Sequence, residues 1–92
     1  MTDQTAFAID LSQYIETRWF EDRPHIRGRR IPISVIANTS ISNKHGVPEL
    51  MYDFDLSETE VLAALLYYSG HKEEIEAQEA AIHEKYKHFY ED

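Results

Sequence analysis

At 92 residues the chain is the size of one small domain, with no cysteine and a formal charge of −8 from 17 acidic and nine basic side chains. The absence of cysteine excludes a disulfide framework and a thiolate metal site, and no stretch approaches the roughly 18 apolar residues of a membrane span. A chain this short buries only about 60–65% of its unfolded surface, so a second copy is the expected source of further core and a homodimer is expected.

Residues 1–13 form a polar, loose start whose large apolar residues are few. The N-terminus lacks the apolar run of a signal peptide, which makes a cytoplasmic location the expectation. Tyr14 to Phe20 carries the β-branched and aromatic content of a strand. Glu21 to Pro24 is a turn, because Pro24 holds Arg23 extended and cannot sit inside a central strand. His25 to Ile31 reads as the returning strand, with a bulge or close approach at Gly28. Period-two alternation sets Arg27 and Arg29 on one face and Ile26, Gly28 and Arg30 on the other.

Pro32 ends that strand, and Ser34 is placed to cap a helix from Val35 to about Ser42. These are poor helix formers, so the helix depends on burying Val35, Ile36 and Ile41. Asn43 to Gly46 is a loop. A short helix then opens with Pro48 in its first turn, and Asp53-Phe54-Asp55 interrupts it with polar side chains that compete for backbone bonds. Ser57-Glu58-Thr59-Glu60 fits a capping box. Val61, Leu62, Leu65, Leu66 and Tyr68 follow at helical spacing, and Gly70 suits a left-handed cap. Two helices joined by a few residues form a helix-turn-helix arrangement, and equally the plainest way for two amphipathic helices to bury each other. A last helix spans His71 to Phe89, with Glu73 and Glu74 in its first turn and Lys85, Lys87 and His88 in its last, which complements its dipole.

No catalytic constellation emerges. The five histidines are scattered, and His83 and His88 are five apart, not at the i, i+4 spacing of a helical metal pair. No glycine-rich phosphate loop is present, so neither a cofactor nor a catalytic or metal site is expected and the chain reads as a non-enzyme. Two surfaces stand out instead. Residues 1–45 hold six basic and five acidic side chains, a net of +1, whereas residues 46–92 hold three basic and twelve acidic, a net of −9. The acidic half repels nucleic acid, so contact with phosphates or base edges falls to Arg27, Arg29 and Arg30. The same arginines are suited to pairing with the twelve acids within the molecule. On the last helix, Ile75, Ile82, Tyr86 and Phe89 form a narrow apolar stripe amid charged neighbours. That pattern fits a partner surface, or equally a contact with the domain itself or with a dimer mate.

Pro24-His25-Ile26-Arg27-Gly28-Arg29-Arg30-Ile31-Pro32-Ile33, followed by Gly46, Phe54, Leu56-Ser57-Glu58-Thr59-Glu60 and Ala63-Ala64-Leu65-Leu66-Tyr67, resembles the domain of unknown function 433 family. The resemblance runs from about Tyr14 to Gly70. It implies a small β element before a homeodomain-like three-helix core, and membership among VapB-type antitoxins. Such proteins neutralise a PIN-like ribonuclease toxin and bind their own operator DNA. Glu58 and Glu60, where a recognition helix would meet bases, assign any DNA contact to the arginines.

The sequence therefore predicts a mostly α (α+β) fold. A hairpin and a helix-turn-helix-like unit occupy 14–70, and a long C-terminal helix occupies 71–92. The expected function is antitoxin-like binding of a ribonuclease toxin and of operator DNA. The alternative is a dimeric interaction or scaffold protein with no nucleic-acid role.

Overall fold

The computed structural model describes residues 10–17 and 23–87. The expected loose start before Asp10, the first strand beyond Thr17 and the helix from His88 onward lie outside the described residues. Asp10 caps a single 3-10 turn at Leu11–Gln13 by accepting from the Ser12 amide at 3.1 Å and the Ser12 hydroxyl at 2.6 Å. Two short strands follow, β1 (Ile15–Glu16) and β2 (His25–Ile26), paired antiparallel with Ile15 opposite Ile26 and Glu16 opposite His25.

The expected strand from His25 to Ile31 is only two residues long. After Ile26 the chain turns sharply: Gly28 (φ 77°) and Arg30 (φ 55°) are both left-handed, and the amides of Arg29 and Arg30 donate to the Ile26 carbonyl. Ile31 returns its own carbonyl to the Ile26 amide at 2.9 Å. Gly28 thus supplies a conformation that a side chain resists, and the alternating faces expected for the arginines are replaced by a turn.

Three helices follow: α1 (Ile33–Asn43), α2 (Val47–Phe54) and α3 (Glu58–Tyr86). Helix α1 starts one residue before Ser34, with Pro32 at its N-cap, and Lys44 ends it in left-handed geometry. Its β-branched residues are held helical by burial, with Ile33 and Ile36 fully enclosed. Ile41 and Val35, expected to share that burial, are exposed at 62% and 38%. Helix α2 runs through Asp53 to Phe54 and is not interrupted there; Asp55 takes the left-handed cap (φ 55°) that stops it. The Glu49 carboxylate secures its start by accepting from the Gly46 amide at 2.9 Å.

Helix α3 opens with the expected capping box: the Glu60 amide donates to the Ser57 hydroxyl at 3.1 Å, and the Ser57 amide to the Glu60 carboxylate at 2.9 Å. Gly70 does not cap it. The helix continues through Gly70 and bends at His71, whose backbone (φ −131°, ψ 26°) leaves the helical region. At this bend the His71 ring stacks on Tyr67 with centroids 4.0 Å apart, and its Nδ1–H donates to the Tyr67 carbonyl at 3.0 Å. The fold class is that expected, a short hairpin, three helices and a long C-terminal helical arm, with the arm a continuation of α3.

The core gathers Ile15, Ile26, Ile33, Ile36, Leu50, Leu56, Val61, Ala63, Ala64 and Ile75 from both strands, the three helices and the α2–α3 connection. Each fully buried isoleucine or leucine contributes about 1.5–3 kcal/mol. Gly70 is exposed, and a Cβ built there meets nothing within 4 Å. Gly70→Ala should therefore stabilise the fold by up to about 1 kcal/mol by relieving the helical penalty of glycine. A thermal melt checks this; a lowered midpoint would mean the bend needs glycine.

Candidate functional site: a paired arginine cluster and an acidic arm

The arginine cluster is organised by Glu16, whose side chain on β1 is 8% exposed. One carboxylate oxygen lies 3.2 Å from Arg27 Nη1; the other lies 3.3 Å from both the Gly28 amide and Nε2 of the fully buried His25. His25 Nδ1–H donates in turn to the Arg23 carbonyl at 2.8 Å. Arg27 also donates from Nη2 to the Ser12 carbonyl at 2.8 Å, tying the turn to the 3-10 segment. Arg29 donates to the Asp55 carbonyl and lies 3.7 Å from the carboxylates of both Asp55 and Glu60. It thereby joins the turn to the α2–α3 connection. Arg30 is exposed, with its backbone left-handed. The turn therefore brings Arg27 and Arg29 to carboxylates of the same molecule: Glu16 in the first half, Asp55 and Glu60 in the second.

The apolar stripe of the arm divides in two. Ile75 is 3% exposed and belongs to the domain core, so it is occupied by the fold and does not present a partner surface. Ile82 and Tyr86 are half-buried and, with Glu79 and His83, line a surface groove of about 320 Å³. Phe89 lies outside the described residues. Around this groove the helix is charged: Lys87 pairs with Glu84 at 3.0 Å, and Lys85 Nζ sits 5.2 Å from the Tyr86 ring centroid.

Contacts of Ile75, Glu76 and Glu79 hold the arm beside the domain. Ile75 enters the core. The Tyr68 hydroxyl spans the bend to the Glu76 carboxylate at 2.8 Å. Arg23, just before β2, grips both oxygens of Glu79 at 2.6 and 3.1 Å, and the Ser34 hydroxyl donates to the same carboxylate at 3.0 Å. Burial, followed by the nearby Glu74 charge, raises the Tyr67 hydroxyl above its ordinary pKa. The Tyr68 hydroxyl is raised by desolvation and then by Glu76.

Sequence reasoning missed Glu16, His25 and the Arg23–Glu79–Ser34 contact. Arg23 and Glu79 are 56 positions apart, and no local pattern links them. A second cleft, of about 500 Å³, opens between the 3-10 turn, β1 and Tyr67, with Glu16 and Arg27 in its lining. No helix among the described residues is long and apolar enough to cross a membrane.

No curated protein and no solved structure matches the chain. Residues 18–68 match the family model described as Protein of unknown function (DUF433); this is more than half the chain, which therefore belongs to that family.

Proposed function

We propose that this protein is a non-enzymatic, antitoxin-like binding protein whose outer arm grips a protein partner with a basic surface. The observation that carries the reading is the surface groove that Ile82 and Tyr86 line with Glu79 and His83, on the outer part of the arm. An apolar strip on a helix whose charged side chains are mostly acidic suits a groove with a cationic rim. A ribonuclease has such a rim where it binds RNA phosphates. The resemblance to antitoxin families makes a PIN-like ribonuclease encoded beside this chain the partner of choice.

Protein is favoured over operator DNA as the main ligand. Arg27 and Arg29 already face Glu16, Asp55 and Glu60, and phosphate would have to displace those carboxylates. Helix α3 also opens with Glu58 and Glu60, which repel a DNA groove. The homodimer belongs to the same proposal: Leu62 and Leu66, one helical turn apart, are 39% and 51% exposed. Sedimentation equilibrium should show a dimer at tens of micromolar, and a monomer contradicts it.

Co-expression with the adjacent gene product tests the main reading. A stable complex in which RNA cleavage is suppressed supports it. A neighbour that is not a nuclease, or that does not bind, favours the scaffold alternative.

A further inference from the structure

We propose that Arg23 and Glu79 form a latch that fixes the direction of the α3 arm, with its hinge at Gly70–His71. The inference is independent of what the arm binds. At His71 the backbone leaves helical geometry, and the helix bends there. The preceding Gly70 adds the backbone freedom of a residue without Cβ. On the far side of the bend, Ile75 is the first firm anchor, buried at 3% exposure. Ile75 and the Tyr68–Glu76 bond both lie close to the bend, and anchors so near it leave a pivot. Glu79, four residues on from Ile75 and on the same helix side, supplies the more distant point that sets a direction.

The geometry around Glu79 is built for this task. The planar Arg23 fork takes both carboxylate oxygens, a fixed two-bond arrangement that a single contact would not impose. Ser34 donates to one of those oxygens from the first turn of α1, where the helix dipole favours negative charge. Arg23 itself rises from a stiff base. Pro24 follows it with a restricted φ, and the Pro24 carbonyl is held by the Ile33 amide at 2.9 Å. Ser34 is nearly buried, whereas the Arg23 and Glu79 side chains are 21% and 32% exposed. The latch therefore sits at the margin of the core. Arg23 is a positioning residue: it acts on the groove of Ile82 and Tyr86 through the arm that carries them.

The cysteine-free sequence makes the test direct, because introduced cysteines are the only labelling sites. Spin labels at Asn43→Cys and Ala81→Cys, both exposed positions, report the distance across the hinge in the full-length chain. Labels at Asn43→Cys and Ser69→Cys report the domain before the hinge. The parent should give one narrow distance peak for each pair. Arg23→Ala should lose the narrow cross-hinge peak and keep the narrow control peak. Glu79→Gln, which keeps the side-chain volume, should do the same and serves if Arg23→Ala does not fold. A cross-hinge peak that stays narrow in the folded variants, one already broad in the parent, or a control that broadens equally overturns the latch.

Discussion

Replacing Leu50 by alanine is expected to cost about 2–5 kcal/mol, the range for emptying a leucine site in a packed core. Leu50 is fully enclosed and is the one buried residue of α2, whose eight residues cannot be helical alone. The whole domain holds only about 5–14 kcal/mol at this chain length. A loss of this size would lower the melting midpoint by roughly 10–30 °C. Tyr52 lies two residues away on the same helix and is 89% exposed. Tyr52→Ala should therefore change stability by no more than about 0.5 kcal/mol. Urea or thermal melts of the two variants side by side check the assignment of the buried face. Equal losses would contradict it.

The second large effect is expected at Glu16. Glu16→Ala withdraws one carboxylate from the Arg27 guanidinium, the Gly28 amide and the buried His25 ring together. The half-exposed Arg27 guanidinium regains water when the carboxylate is removed, whereas the buried His25 ring loses a polar neighbour it cannot replace, a loss of about 1–3 kcal/mol. The exposed pair Glu84–Lys87 provides the contrast. Glu84→Ala should cost about 0–1 kcal/mol, as surface pairs do. Chemical denaturation measures both, and a Glu16 variant as stable as the Glu84 variant would mean that this cluster does not hold the turn.

These two sites differ in how readable they were. The helix pair was legible because its signals are local: Pro48 near a start, and Ser57 with Glu60 three residues apart. Leu65, expected on the core face of α3, does pack against the core, although the fully enclosed positions there are Val61, Ala63 and Ala64. The turn at 27–30 was misread as strand because its left-handed residue Arg30 has no sequence mark, and only Gly28 hinted at the break. Gly70 was read as a stop, yet a glycine inside a helix and one just past its end look alike without the tertiary contacts. Those contacts come from Ile75, Glu76 and Glu79, which pull the arm onto the domain past the bend.

The candidate surfaces followed the same rule. Charge counting found the arginines and the acids but not which would meet, and Arg29 joins Asp55 and Glu60 across the fold. Helical spacing found the stripe from Ile75 to Tyr86 but not which of its residues enter the core. Ile75 lies in the core and Glu79 bonds to Arg23, while Ile82 and Tyr86 are half-buried at a surface groove.

This division sets the most direct measurement for the central claim, that the arm beyond Glu79 is the partner-binding element. A chain ending at Ala80 keeps Ile75 in the core and Glu79 on Arg23, and loses Ile82 and Tyr86. Co-expressed with the adjacent gene product, it should melt as a folded domain close to the full-length chain and fail to bring that partner through purification. A truncated chain that is folded and still carries the partner contradicts the claim.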